Sequence, residues 1–178
     1  MFLILFFKSV QSGTGLGFRF QRLLAWRDPV NYHSETGYQT LQALYAIGSG
    51  GFFGKGLGQS VQKMGFIPEA QNDMIFSIIC EELGLVGAIA VLLLFTILLW
   101  RIFVIGMQSA DLFGGLICMG VFIHIAAQVI LNIAVVTNTI PSTGVALPFI
   151  SYGGTSVLLL MVEIGLVLNV SRQAKRVY

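Results

Sequence analysis

Acidic side chains gather where an apolar run begins. Asp73, Ser77 and Glu81 recur at i, i+4 and i+8, with Glu82 beside the last of them. On a helix that spacing puts the first three on one face. A carboxylate so placed can take a proton from an attacking hydroxyl as a general base. Asp73 and Glu69 could also hold a divalent cation, although the sequence offers no full ligand set around them. Pro68 suits the first turn of a helix, where Glu69 and Asp73 would favour the positive N-terminal end. Such capping does not explain Glu81 and Glu82 two turns further on. Charges at the entrance to hydrocarbon are expensive, and they persist where they line a cavity or meet a partner.

Other polar residues carry weaker signals. His124, Gln128 and Asn132 repeat every four residues inside an apolar run. They read as polar glue between helices, with a proton relay or a ligand contact left open. Glu163 is a lone charge in the last apolar run and needs a buried partner, for which His124 is chemically suited. Residues 141–156 are apolar yet hold two prolines and three glycines. Irregular backbone does not face lipid at membrane depth, so this segment is re-entrant or packed on protein. There Ser151 and Tyr152 bring hydroxyls to a turn. Six glycines between Gly48 and Gly58 surround Lys55 but fit no phosphate-loop register, because Gly56 follows the lysine where Ser or Thr is required. The cluster reads as backbone needing positive φ or close approach, or else as a cleft wall with Lys55 and Lys63 facing an anion.

The elements that must position these groups are membrane helices. Of 178 residues, 56% are hydrophobic and only 10% charged, against roughly a quarter charged in soluble domains. That excludes an ordinary soluble globule, and a net charge of +2 without a basic block argues against nucleic-acid binding. Cys80 and Cys118 sit in apolar runs and read as small buried hydrophobes. The chain is expected to be an all-α, polytopic membrane protein. Three full spans are predicted at 73–101, 112–137 and 154–171. Residues 1–17 hold the stub of another span, and 18–72 form a long extracytoplasmic segment with a short helix at 37–47. A re-entrant loop at 138–153 and a tail at 172–178 complete the chain. In the short helix Leu41, Leu44, Tyr45 and Ile47 share the apolar side. Arg172, Lys175 and Arg176 put the tail in the cytoplasm, although Arg19, Arg22, Arg27, Lys55 and Lys63 then lie outside.

Several stretches resemble the SEDS family (shape, elongation, division and sporulation). They are Trp26-Arg27-Asp28-Pro29, Gly37-Tyr38-Gln39, Ala46-Ile47-Gly48-Ser49-Gly50-Gly51, Gly54-Lys55-Gly56-Leu57-Gly58-Gln59-Ser60, Pro68-Glu69-Ala70, Asp73, Glu81-Glu82-Leu83-Gly84 and Leu147-Pro148-Phe149-Ile150-Ser151-Tyr152-Gly153-Gly154-Thr155-Ser156. The wording around Gly58-Gln59-Ser60 is closer to the FtsW/SpoVE branch than to RodA. The match runs from about Arg19 to Arg172 and looks like the C-terminal half of a member with ten spans. Glu163 departs from the pattern, standing where an apolar residue is expected.

The resemblance implies a bacterial cytoplasmic-membrane peptidoglycan glycosyltransferase that polymerises lipid II. It would act with a class B penicillin-binding protein and other divisome or elongasome proteins, in division, cell shape or sporulation. It makes Asp73 the catalytic carboxylate and places Lys63, Glu69, Ser151 and Tyr152 as substrate-binding candidates. It assigns no cofactor, and a divalent cation remains open. The alternatives are a lipid II flippase and a non-catalytic scaffold that recruits the penicillin-binding protein. Glu163 and His124 have no role assigned by the resemblance.

Overall fold

The computed structural model describes residues 22–28, 35–62 and 72–173. The stub at 1–17, Lys63, Glu69 and the basic residues Lys175 and Arg176 lie outside the described residues. Among the described residues all regular structure is helical. A short turn of helix covers 22–27. Then come α1 (Glu35–Gly50), α2 (Ile75–Met107), α3 (Leu112–Val136) and α4 (Gly154–Gln173). The last three are each long and apolar enough to cross a membrane. They are antiparallel neighbours in chain order, with α2 packed against both α1 and α3, and α4 lying mainly on α3.

The core is narrow because only one stripe of each span meets protein. Phe95 and Ile102 of α2, Ile125 and Val129 of α3, and Leu160 and Val167 of α4 are buried. Leu93, Leu94, Ile130, Leu158 and Leu159 point outward and are exposed. In lipid that exposure costs nothing, so the helices are held by close packing and polar contacts rather than by expulsion of water.

The side of α1 that packs is not the one its large apolar residues suggested. Tyr38 and Tyr45 are exposed, and Leu41, Leu44 and Ile47 are only half-buried. The buried stripe is Gly37, Thr40, Ala43, Ala46 and Gly50. Small residues three or four apart let two helix backbones approach, as they do within membranes. At Gly50 a Cβ would run into the Cys80 carbonyl of α2.

The helix α2 is two helices. Gly84, at φ 66° and ψ −163°, interrupts it, and the glycine-rich loop after α1 fills the break. The carbonyls of Glu81 and Glu82, stranded at the end of the first half, accept from the N–H groups of Lys55 and Gly56, each at 3.0 Å. The N–H groups of Leu85 and Val86, stranded at the start of the second half, donate to the carbonyls of Gly51 (2.9 Å) and Phe52 (3.2 Å). Four of the backbone groups that a helix end leaves open are thus satisfied by one loop. The docking requires glycine on both sides, since a Cβ at Gly54 would strike the Glu82 carbonyl and one at Gly84 would strike the Gly54 nitrogen.

Gly84→Ala should therefore undock the loop, because it adds both the strain of a backbone region almost exclusive to glycine, about 1–3 kcal/mol, and a backbone collision. Hydrogen exchange of the Lys55 and Gly56 amides in micelles should rise at least tenfold. Exchange matching wild type would show that the break tolerates a side chain.

Candidate active site

Asp73 lies in the turn at residues 72–74, just ahead of α2, and not within the helix. It is half-buried. Gln39 of α1 donates from Nε2 to Asp73 Oδ1 at 3.3 Å. Asn132, fully buried on α3, donates from Nδ2 both to the backbone carbonyl of Asp73 (2.7 Å) and to that of Val145 (2.8 Å). One amide group thus ties the turn that bears the aspartate to the loop between α3 and α4. Its two donated bonds fix which way the amide faces, since a flip would aim oxygen at two carbonyl oxygens. The Asn132 Oδ1 is then buried and meets no donor among the described residues.

The carboxylates split into separate networks. Ser77 turns its hydroxyl back to the Met74 carbonyl at 2.7 Å and is buried. Glu81, two turns along α2, is wholly buried beside the helix break. Lys55 Nζ reaches Glu81 Oε1 at 2.6 Å, and Ser60 donates to Oε2 at 2.5 Å. Longer bonds come from Ser49 Oγ and the Gln62 N–H, both at 3.4 Å. Lys55 therefore neutralises Glu81 and braces the loop, which leaves Lys63 as the notional anion contact. Lys63 and Glu69 lie outside the described residues. Among the described residues no three metal-ligating side chains converge.

The loop at 137–153 is irregular and packed on protein. Leu147, Pro148 and Ser151 are buried. The Ser151 hydroxyl accepts from the Leu147 N–H at 2.7 Å, while the Ser151 N–H donates to the Leu147 carbonyl at 3.1 Å. This reciprocal pair closes a turn in which Phe149 takes φ 63°, a rare conformation for a bulky residue. Tyr152 is 77% exposed. Ser151 thus shapes the turn and Tyr152 presents a ring beyond it. The helix at 22–27 clasps the loop's start: Trp26 Nε1 donates to the Asn138 carbonyl at 3.0 Å, and Asn138 Nδ2 returns a bond to the Trp26 carbonyl at 3.3 Å. Farther down the bundle, His124 Nδ1 meets the Glu163 carboxylate at 3.0 Å, and Gln128 contacts His124 Nε2 at 3.1 Å. The lone charge within the apolar run of α4 has the partner its chemistry called for.

Gln39 and Ser60 were not singled out as site residues from the sequence. Each meets its carboxylate across more than twenty residues of chain, and no local periodicity marks such a pairing. Asn132 stood out only as a member of the polar repeat.

Two expected outcomes follow from these contacts. Lys55→Met leaves a buried, unpaired carboxylate, whereas Glu81→Gln leaves an ammonium that is 35% exposed and can rehydrate. The lysine change should cost about 3 kcal/mol and the glutamate change less, with the double variant recovering part of the loss. Thermal unfolding in micelles checks the order. Asn132→Asp is nearly isosteric but cannot donate to both carbonyls, so the 145–151 amides should exchange faster while α3 itself stays protected.

Comparison with known proteins fits this geometry. The family model for FtsW, RodA and SpoVE, described as cell cycle protein, matches residues 1–176. Stage V sporulation protein E of Bacillus subtilis (strain 168) is 49% identical over 150 residues, which is 84% of this chain and 40% of that protein. The probable peptidoglycan glycosyltransferase FtsW of Thioalkalivibrio sp. (strain K90mix) is 44% identical over 161 residues, covering 89% and 40%. This chain therefore spans about two fifths of the length of these relatives. Among solved structures, one described as showing structural coordination of polymerization and crosslinking by a peptidoglycan synthase complex superposes with a TM-score of 0.69. It is 29% identical and covers 88% of this chain and 42% of its own. A crystal structure of the rod shape determining protein RodA of Thermus thermophilus, an aspartate-to-alanine mutant, gives 0.58 at 34% identity, covering 75% and 40%. Together with three membrane-length helices, the match shows that this chain is a multi-pass membrane protein belonging to the FtsW/RodA/SpoVE family.

Proposed function

We propose that the chain supplies the catalytic carboxylate of a peptidoglycan glycosyltransferase acting on a lipid-linked disaccharide, lipid II. The observation that carries this reading is the placement of Asp73. It sits at the mouth of the bundle, outside the hydrocarbon run of α2, held by Gln39 and tied through Asn132 to the irregular loop. In the transfer, the acceptor hydroxyl loses its proton to Asp73 as its oxygen bonds to the donor's anomeric carbon. The bond from that carbon to the lipid pyrophosphate breaks, and the pyrophosphate leaves with the electron pair. Charge on the leaving side needs a cation, and Lys63 is the residue proposed for it. Glu69 and Tyr152 are proposed to contact substrate, with Ser151 holding the turn that presents Tyr152. The names of the relatives support the reading, and the synthase complex supports a class B penicillin-binding protein as partner.

The same reading sets the orientation. Lipid II is polymerised on the extracytoplasmic side, so the Asp73 end faces outward and the C-terminus is cytoplasmic, in agreement with Arg172 in the last turn of α4.

Asp73→Asn keeps the shape and removes the base. In the protein expressed from its own gene, purified and supplied with lipid II, this change should lower polymerisation by at least a hundredfold at unchanged membrane abundance. Because the substrate is already accessible in such an assay, a flippase or a scaffold would give no polymer even as wild type. Polymer from the Asp73→Asn protein at the wild-type rate would overturn the assignment.

A further inference from the structure

The glycine-rich loop, read from the sequence as part of an extracytoplasmic segment, has a surface that suits hydrocarbon better than water. Phe52 is 71% exposed, Phe53 86% and Leu57 77%. Their depth follows from the helix break. The Val86 N–H bonds the Phe52 carbonyl, and the Glu82 carbonyl accepts from Gly56, so this part of the loop lies level with Glu82 to Val86. Residues 85–107 rise roughly 34 Å at 1.5 Å per residue, a little more than the ~30 Å of hydrocarbon. Counted back from Arg101, about 20 residues of span end at Glu82. Either count puts the break, and with it the two phenylalanines, at the edge of the acyl chains.

Two further features meet what lipid demands of an irregular segment. Much of its backbone is satisfied by protein: Gly54, Lys55 and Gly56 donate to the carbonyls of Gly50, Glu81 and Glu82, and the carbonyls of Gly51 and Phe52 accept from Leu85 and Val86. Unsatisfied loop backbone is what hydrocarbon excludes. Its lysine is also paired, since the Lys55 ammonium meets the Glu81 carboxylate at 2.6 Å. An apolar groove of about 230 Å³, lined by Ile47, Phe52, Cys80, Leu85 and Ala88, lies between the loop and the break.

We infer that Phe52, Phe53 and Leu57 form a wedge embedded among the acyl chains of the leaflet on the Asp73 side, so that this loop binds membrane lipid directly. The wedge fixes the depth of the break, and therefore the height of Asp73 above the hydrocarbon. It rests on the membrane-spanning architecture and not on the transferase reading.

The test is nitroxide accessibility in phosphatidylethanolamine–phosphatidylglycerol vesicles. The protein expressed from its own gene is used in a Cys80→Ala, Cys118→Ala background, with labels at Phe53→Cys and Leu57→Cys in turn. A label at Leu94→Cys, exposed within the span, serves as the lipid reference, and one at Gln59→Cys as the water reference. Collisions with oxygen at positions 53 and 57 should exceed those with a water-soluble nickel chelate several-fold, as at position 94. A label at 53 behaving like that at 59 would place the loop in water and overturn the proposal. Low access to both reagents would overturn it equally, by showing a protein partner covering the face.

Discussion

The fold turns on an exchange of backbone hydrogen bonds between a broken helix and a loop from elsewhere in the chain. A helix that stops and restarts at the membrane surface leaves carbonyls on one side of the gap and N–H groups on the other. Left unpaired near hydrocarbon, each would cost several kcal/mol. The loop after α1 supplies both complements at once, donating from Lys55 and Gly56 and accepting at Gly51 and Phe52. This exchange seats α1 against α2, brings Lys55 to Glu81, and starts the second half of α2 at the height where its span begins. Gly50, Gly54 and Gly84 are required because the two backbones touch where a Cβ would otherwise stand.

Three of the charged groups around the break and below it meet partners that only folding supplies. Glu81 is wholly enclosed and is met by an ammonium, two hydroxyls and an N–H. His124 and Glu163, near the middles of α3 and α4, meet each other, and the pair is still half-open at the histidine. Asp73 sits in the turn ahead of α2, partly accessible, with Gln39 of α1 donating to its carboxylate and its backbone carbonyl anchored to α3.

Membrane-spanning architecture, the three long helices, the buried uncharged role of both cysteines and the family were legible in the sequence, because each rests on local composition or on contiguous motifs. Run length against hydrocarbon thickness sets a span whatever it packs on, and the His124–Glu163 pair could be matched because few polar groups compete at that depth. What composition could not show was which face of α1 packs. Large apolar residues drive burial in water, but between helices near a membrane the small ones do, and Gly37, Thr40, Ala43 and Ala46 took the contact from Leu41 and Leu44. Nor could periodicity show that Asp73, Ser77 and Glu81, evenly spaced along the chain, serve three different neighbourhoods. A helical repeat fixes direction, not what waits there. Gln39, Ser60 and the Val145 carbonyl arrive from distant segments, and the break at Gly84 exists only because a loop some thirty residues earlier fills it. The sequence by itself determined that the chain holds three helices long and apolar enough to cross a bilayer, with acidic residues gathered at the start of the first. Only the tertiary structure decided what each carboxylate meets, because Lys55 and Ser60 for Glu81, and Gln39 for Asp73, come within hydrogen-bond distance only when the chain folds.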